Sequence, residues 1–277
     1  MTVTWQVTVT LYYEQNPMIT SSQNPKIKLV RALFGRSKDR REAGAFVAEG
    51  VRLVEEAVTS NWGVRFALYD ESLSERGRLQ VEGLKLKGIE VEEVSSSLMK
   101  SLSETETPQG ILAILNDSRL PIPESLNFVL IPDLLREPGN LGTLLRTAAA
   151  TAVEAVFLPP ETTDAFAPKV VRAGMGAHFR LPIHAMSWDD IREHTKGLQI
   201  FLADMAGQPC WEIDLRQPLA LIVGGEAEGA SEQARKLANQ KISIPMVGKM
   251  ESLNAGVAGS VLMFEVVRQR KQINLSC

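Results

Sequence analysis

The sequence predicts an α/β protein in two successive parts, the second built on a parallel sheet. Three observations lead there. Short apolar runs alternate with helical stretches from about residue 45 onward. In the second half the apolar runs, such as FVLIP (128–132) and LALIV (219–223), are nearly continuous, the pattern of strands covered on both faces. Between the halves, NDSRLPIPESL (116–126) combines Asn, Asp, Ser and two prolines, which is linker chemistry. A length of 277 residues suits two domains at roughly 150 residues each.

The elements follow in order. Residues 1–20 open with a strand-like alternation and precede any coherent domain pattern. They read as a flexible or edge-paired extension, with Met18 as an alternative start. Ile27, Val30, Leu33 and Phe34 fall at helical spacing within 24–41, so that stretch predicts one amphipathic helix. Strands follow at 45–50, 64–70, 89–94 and 110–115, with helices at 51–58, 73–87 and 95–102 between them. The expected boundaries are therefore a first domain over 21–116, a linker over 117–126 and a second domain over 127–277. The second domain predicts strands at 127–134, 154–159, 198–204, 219–225 and 241–245. Its helices are expected at 141–150, 166–173, 188–194, 231–238 and 253–270.

Composition narrows the function. Charged residues make up 23% and hydrophobic residues 44%, which excludes a disordered, collagen-like or coiled-coil chain. The net charge of −3 is not that of a basic nucleic-acid coat, although a local basic patch is compatible with it. Such a patch exists: Lys26, Lys28, Arg31, Arg36, Lys38, Arg40 and Arg41 crowd one segment against Asp39. By itself it reads equally as a solvated helix face. Cys210 and Cys277 form no CxxC pair, so a reducing compartment, the cytoplasm, fits. His178, His184 and His194 have no metal-ligand spacing with them. No run approaches the ~18 apolar residues of a membrane span, and there is no complete dinucleotide, Walker A or GxSxG motif.

Three polar clusters remain, each at the C-terminal end of a predicted strand, where open α/β sheets bind ligands. DLLREPGNLGTLLRTA (133–148) holds Asn140 and, six residues on, Arg146. LIVGGEAEG (221–229) runs a strand into Gly224, Gly225 and Glu226. ISIPMVGKMESLNAGVAGSVLMFE (242–265) holds Ile244, Met246, Ser252, Leu253 and Asn254 before a helix rich in small residues, suited to close packing on the chain or a partner. Taken singly, each reads as a turn or a capped helix.

Together, NxGxxxRTA, GGExxG and IPMxGxxxSLN, in this order and strand context, resemble the three motifs of the SpoU (TrmH-like) RNA ribose 2′-O-methyltransferases over about 127–270. More loosely, the first half is similar to the small L30e-like substrate-binding domain attached to many members. The resemblance implies a catalytic α/β domain with a deep trefoil knot. It implies S-adenosylmethionine as methyl donor, held by Gly224, Gly225, Ile244, Met246, Leu253 and Asn254, and a homodimer with the site near its interface. No metal is implied. Asn140, Arg146, Glu226, Ser252 and Asn254 take the catalytic positions. The family arginine is assigned to activating the hydroxyl. Because arginine keeps its proton, a charged Arg146 that stabilises the developing alkoxide is the preferred reading, with a neutral base as the alternative. The basic segment then becomes the expected RNA contact, with Arg172, Lys169 and Arg180 as further phosphate candidates. Ribosomal RNA is the expected substrate. The alternatives are transfer RNA and a non-catalytic ribosome-assembly protein of the same fold.

Overall fold

The computed structural model describes residues 17–60, 62–105, 107–226, 229–248 and 252–272. The expectations for residues 1–16 lie outside this range.

The first part is a four-stranded sheet in the order β1-β4-β2-β3, formed by β1 (Ala45–Glu49), β2 (Val64–Tyr69), β3 (Glu90–Glu93) and β4 (Ile111–Asn116). β1 and β2 both run antiparallel to β4, and β3 is parallel to β2. Ile19 extends the β3 edge. It is buried, and its N–H donates to the Glu93 carbonyl at 2.8 Å, so residues 17–20 belong to this fold and not to a loose extension.

The single helix expected over 24–41 is two, α1 (Pro25–Phe34) and α2 (Ser37–Ala43). Asn24 caps the first, accepting from the Lys26 N–H, and Pro25 sits in its first turn, where its missing donor costs nothing. Arg36 is extended and ends the helical run. The Arg40 guanidinium reaches back to the Leu33 and Gly35 carbonyls at 2.8 and 2.9 Å, satisfying acceptors that the break leaves open. Helices α3 (Val51–Thr59), α4 (Glu75–Leu86) and α5 (Ser96–Leu102) complete this part.

The second part is a six-stranded, wholly parallel sheet in the order β10-β8-β9-β5-β6-β7. Its strands are β5 (Phe128–Asp133), β6 (Ala155–Leu158), β7 (Ile183–Ala185), β8 (Gln199–Pro209), β9 (Leu219–Gly224) and β10 (Gln240–Ser243). Both faces are covered, as the continuous apolar runs require. Val129, Ile131 and Ile222 pack with Ile191 and Ala234, whereas Leu130, Leu221 and Val223 pack with Leu144 and Leu262. The covering helices are α6 (Pro138–Ala150), α7 (Pro168–Gly174), α8 (Trp188–His194), α9 (Glu232–Leu237) and α10 (Ala255–Gln272).

Two features differ from expectation. β7, only three residues long, is too short to show a period. β8 continues to Pro209, because β10 follows it through a register shift between Lys241 and Ile242. Gly207 makes that possible, since a Cβ there would stand 2.6 Å from the Ile242 backbone.

The parts share one core. Phe46 of β1 lies 5.0 Å from Phe166 and 6.1 Å from Trp62, and Trp62 lies 5.6 Å from Phe179. Charge reinforces the junction: Arg40 pairs with Asp164 at 2.7 Å, Arg172 with Glu49 at 2.8 Å, and Arg180 with Glu56. The connector 117–126 is pinned as well, Asp117 N–H donating to the Gly44 carbonyl and the His184 ring to that of Leu120.

Candidate active site

The C-terminal edge of the parallel sheet brings together segments that are far apart in sequence. β5 leads into α6, whose first turn carries Asn140. β9 ends at Gly224 and turns through Glu226. The chain after β10 reaches Asn254, whose Oδ1 caps α10 by accepting the Val257 N–H at 3.1 Å.

These three residues are joined directly. Glu226 Oε1 accepts from Asn140 Nδ2 at 3.0 Å, from Asn254 Nδ2, and from the Ala255 N–H at 3.2 Å. Asn254 Nδ2 also donates to Asn140 Oδ1 at 2.9 Å. One carboxylate thereby fixes two amides and the start of α10. The helices behind it are in tight contact: Thr147 and Ser260 hydroxyls meet at 2.8 Å, and a Cβ on Gly259 would lie 2.5 Å from Leu144.

Beside this junction lies a cavity of about 880 Å³. All six expected donor-binding residues line it: Gly224, Gly225, Ile244, Met246, Leu253 and Asn254. Glu226 and Ser252 line it too. Ala203, Val223, Ile242 and Leu262 make much of the wall apolar. The middle of β8 and α9 add Asp204 and Arg235, which no sequence motif marked. Lys241 beside Asp204, at 2.8 Å, and the Ala206 N–H hold that carboxyl below its ordinary range.

At both glycines neighbouring backbone occupies the place of a Cβ. A Cβ on Gly224 would lie 2.7 Å from Ala230 N, and one on Gly225 would lie 2.4 Å from the Leu134 carbonyl. Gly225 and Gly229 exchange two backbone hydrogen bonds, 3.1 and 3.0 Å long, at the root of the loop.

Arg146 stands apart. It is exposed on α6, does not line the cavity, and among the described residues makes no hydrogen bond to the Asn140–Glu226–Asn254 junction. Gly142 of the same motif serves packing: its missing Cβ leaves room for Ala173 of α7.

The expected RNA contacts divide. Lys28, Arg31, Arg36, Lys38 and Arg41 are exposed along α1 and α2. Arg40 is buried, 6% exposed, between Asp164 and the α1 carbonyls, so its charge is consumed inside the protein. Lys26 is held by Glu90 and Glu92, both at 2.7 Å, over the Phe66 ring. Burial alone would lower its pKa, but the two carboxylates more than reverse that and raise it. Arg172 and Arg180 are bound into the junction of the two parts, whereas Lys169 is exposed.

Known proteins resemble this chain over most of its length. Residues 127–264 match the SpoU rRNA Methylase family, and residues 24–113 match an MRM3-like substrate binding domain. The chain is 32% identical to the 23S rRNA (guanosine(2553)-2′-O)-methyltransferase of Bacillus subtilis, over 90% of this chain and 98% of that one. It is 32% identical to the 23S rRNA (uridine(2479)-2′-O)-methyltransferase of Streptomyces viridochromogenes, over 90% and 92%. Among solved structures, the SpoU methyltransferase AviRb of that organism in complex with AdoMet superposes with a TM-score of 0.78 at 30% identity, covering 90% of this chain and 99% of the other.

Proposed function

The chain belongs to the SpoU rRNA methylase family, and from that premise we propose that it transfers a methyl group from S-adenosylmethionine to a ribose 2′-hydroxyl of ribosomal RNA. The observation that carries the proposal is the Asn140–Glu226–Asn254 junction, where residues of the three motifs meet and Glu226 and Asn254 line the cavity. The cavity fits the donor: its volume lies in the small-ligand range, and an apolar wall with a few polar groups suits a nucleoside carrying an amino-acid tail.

The bound donor supplies an electrophilic methyl group. The protein's residues supply position and charge. Glu226 locks the two asparagine amides so that they orient the ribose at the rim. Ser252 lies on the same rim. Arg146, permanently charged, holds the neighbouring phosphate and stabilises the alkoxide as the hydroxyl proton leaves to water. Alignment of the two reactants supplies a large share of the rate, on the order of 7–11 kcal/mol.

The finer reading adds four points. The segment 21–116 is the RNA-docking domain and 127–277 the catalytic one, with 117–126 between them. The C-terminal segment is threaded into a trefoil knot, a reading supported by α10 packing on α6 and β9 after β10 has formed at the far edge. The enzyme works as a homodimer in the cytoplasm: Val257, Val261 and Phe264, exposed at 46%, 38% and 54%, form an apolar stripe on α10 beside the site. The docking charge lies on Lys28, Arg31, Arg36, Lys38 and Arg41.

The test is incubation with methyl-labelled S-adenosylmethionine and protein-free ribosomal or transfer RNA, followed by alkaline hydrolysis. Label in an alkali-resistant dinucleotide from ribosomal RNA is expected. Label only in transfer RNA would reassign the substrate. RNA binding with neither donor binding nor transfer would make the chain a non-catalytic relative.

A further inference from the structure

We propose that Asp133 is a positioning residue for methyl transfer, tying the far end of the Gly224–Ser231 loop to strand β5 and so setting the shape of the donor cavity. The proposal rests on reading that cavity as the S-adenosylmethionine site.

Asp133 ends β5, pairs in register with Gly224, and is 0% exposed. The core packed on its face of the sheet is apolar: Val129, Ile131 and Ile222 of the strands, with Ala234 of α9 against them. An apolar residue would pack there without the cost of burying a carboxyl. Its Oδ2 accepts the Ser231 N–H at 2.6 Å, while among the described residues its buried Oδ1 has no partner. Burial pushes the carboxyl up from its ordinary range, the Ser231 bonds working against it, with Glu161 adding to the rise and Arg235 opposing it.

What the bond holds explains the acid. Gly224–Glu226 leave β9, Gly225 and Gly229 bond to each other, and Gly229–Ser231 pass into α9 at its cap, Ser231. Gly224, Gly225, Glu226, Gly229 and Ala230 line the cavity, and Glu226 carries both asparagine amides. One end of the loop is fixed by the sheet. Asp133 fixes the other to the neighbouring strand, the one that leads into Asn140. The motif acid and the glycine loop thus move as one body.

The test compares four variants of the full chain by donor calorimetry and by donor KM and kcat. Asp133→Ala removes the acceptor. Ser231→Pro removes the donor N–H at a residue whose φ of −64° and ψ of 164° suit proline. Asp133→Asn keeps an acceptor oxygen, and Ser231→Ala keeps the N–H. The first two are expected to raise donor Kd and KM by about tenfold or more, with kcat at saturating donor falling less. The second two are expected to stay within about threefold of the parent. A lowered melting temperature with unchanged donor Kd and KM in Asp133→Ala and Ser231→Pro would assign Asp133 to the fold alone and overturn the proposal. If Asp133→Ala does not fold, the contrast between Ser231→Pro and Ser231→Ala decides in the same way. A parent protein that binds no donor would instead overturn the reading of the cavity.

Discussion

Arg146 is exposed on α6 and contributes nothing to the cavity wall, so its charge and the donor pocket are separable. Arg146→Ala is expected to lower turnover by about 100-fold or more, the scale of losing one group that stabilises developing charge. Donor affinity, measured by calorimetry on the same preparation, should stay near the parent's. Near-parent turnover would remove Arg146 from the reaction. At this scale the sequence was informative about which side chains meet at the cavity. Asn140, Glu226 and Asn254 were legible because three motifs in order identify them. Asp204, Arg235 and the work of Asp133 were not, because each depends on which strand lies beside which, and a parallel sheet sets that order through crossovers. Arg40 misled for the same reason: its charge is visible in the chain, but Asp164, the partner that consumes it, is 124 residues away.

Among the elements, α6 shows how one helix serves the site and the fold together. Its Asn140 faces Glu226, while Gly142 faces α7, where a Cβ would lie 2.3 Å from that of Ala173 and 3.0 Å from the Val170 carbonyl. Gly142→Ala gains up to about 1 kcal/mol of helix propensity. Overpacking against a backbone carbonyl costs about 1–3 kcal/mol, so the net effect is destabilisation, read as a lower urea midpoint. A midpoint at or above the parent's would show that α7 yields freely. Helix periods were readable wherever an apolar face repeats. The break between α1 and α2 was not, since it turns on an extended Arg36 and on carbonyls that Arg40 satisfies from beyond the break.

For the whole molecule, the buried junction and the exposed basic face make different predictions from neighbouring arginines. Reversing Arg36, Lys38 and Arg41 to glutamate is expected to weaken RNA binding and flatten its salt dependence. On single strands the log–log slope should fall by about 0.7 for each phosphate no longer neutralised. Donor affinity should not change, and an unaltered slope would move docking elsewhere. Arg40→Ala should instead leave Asp164 unpaired and cost about 3–5 kcal/mol of stability, seen in denaturant melts without RNA. The junction is also expected to be acid-sensitive. His178 is buried against Phe166, and burial lowers its pKa from 6.5 to about 4. With a folded pKa below the unfolded one, its contribution is complete above pH 6.5 and is lost as pH falls toward 4, a change of about 3 kcal/mol. Urea melts from pH 7 to pH 4 should show this loss in the parent and not in His178→Phe, and equal pH dependence in both would place the acid sensitivity elsewhere.

The shared core and the cross-junction ion pairs have one more consequence. The basic face of α1 and α2 and the Asn140–Glu226–Asn254 junction are held at a set span by packed protein, with the connector pinned between the two parts. With the basic face docking RNA as proposed, the molecule is expected to work as a caliper. A ribose would then be chosen because it lies one fixed reach from the phosphates that face holds, whatever base it carries. In a structured RNA, adding a base pair between the two points should silence methylation, whereas changing the target base should leave it in place.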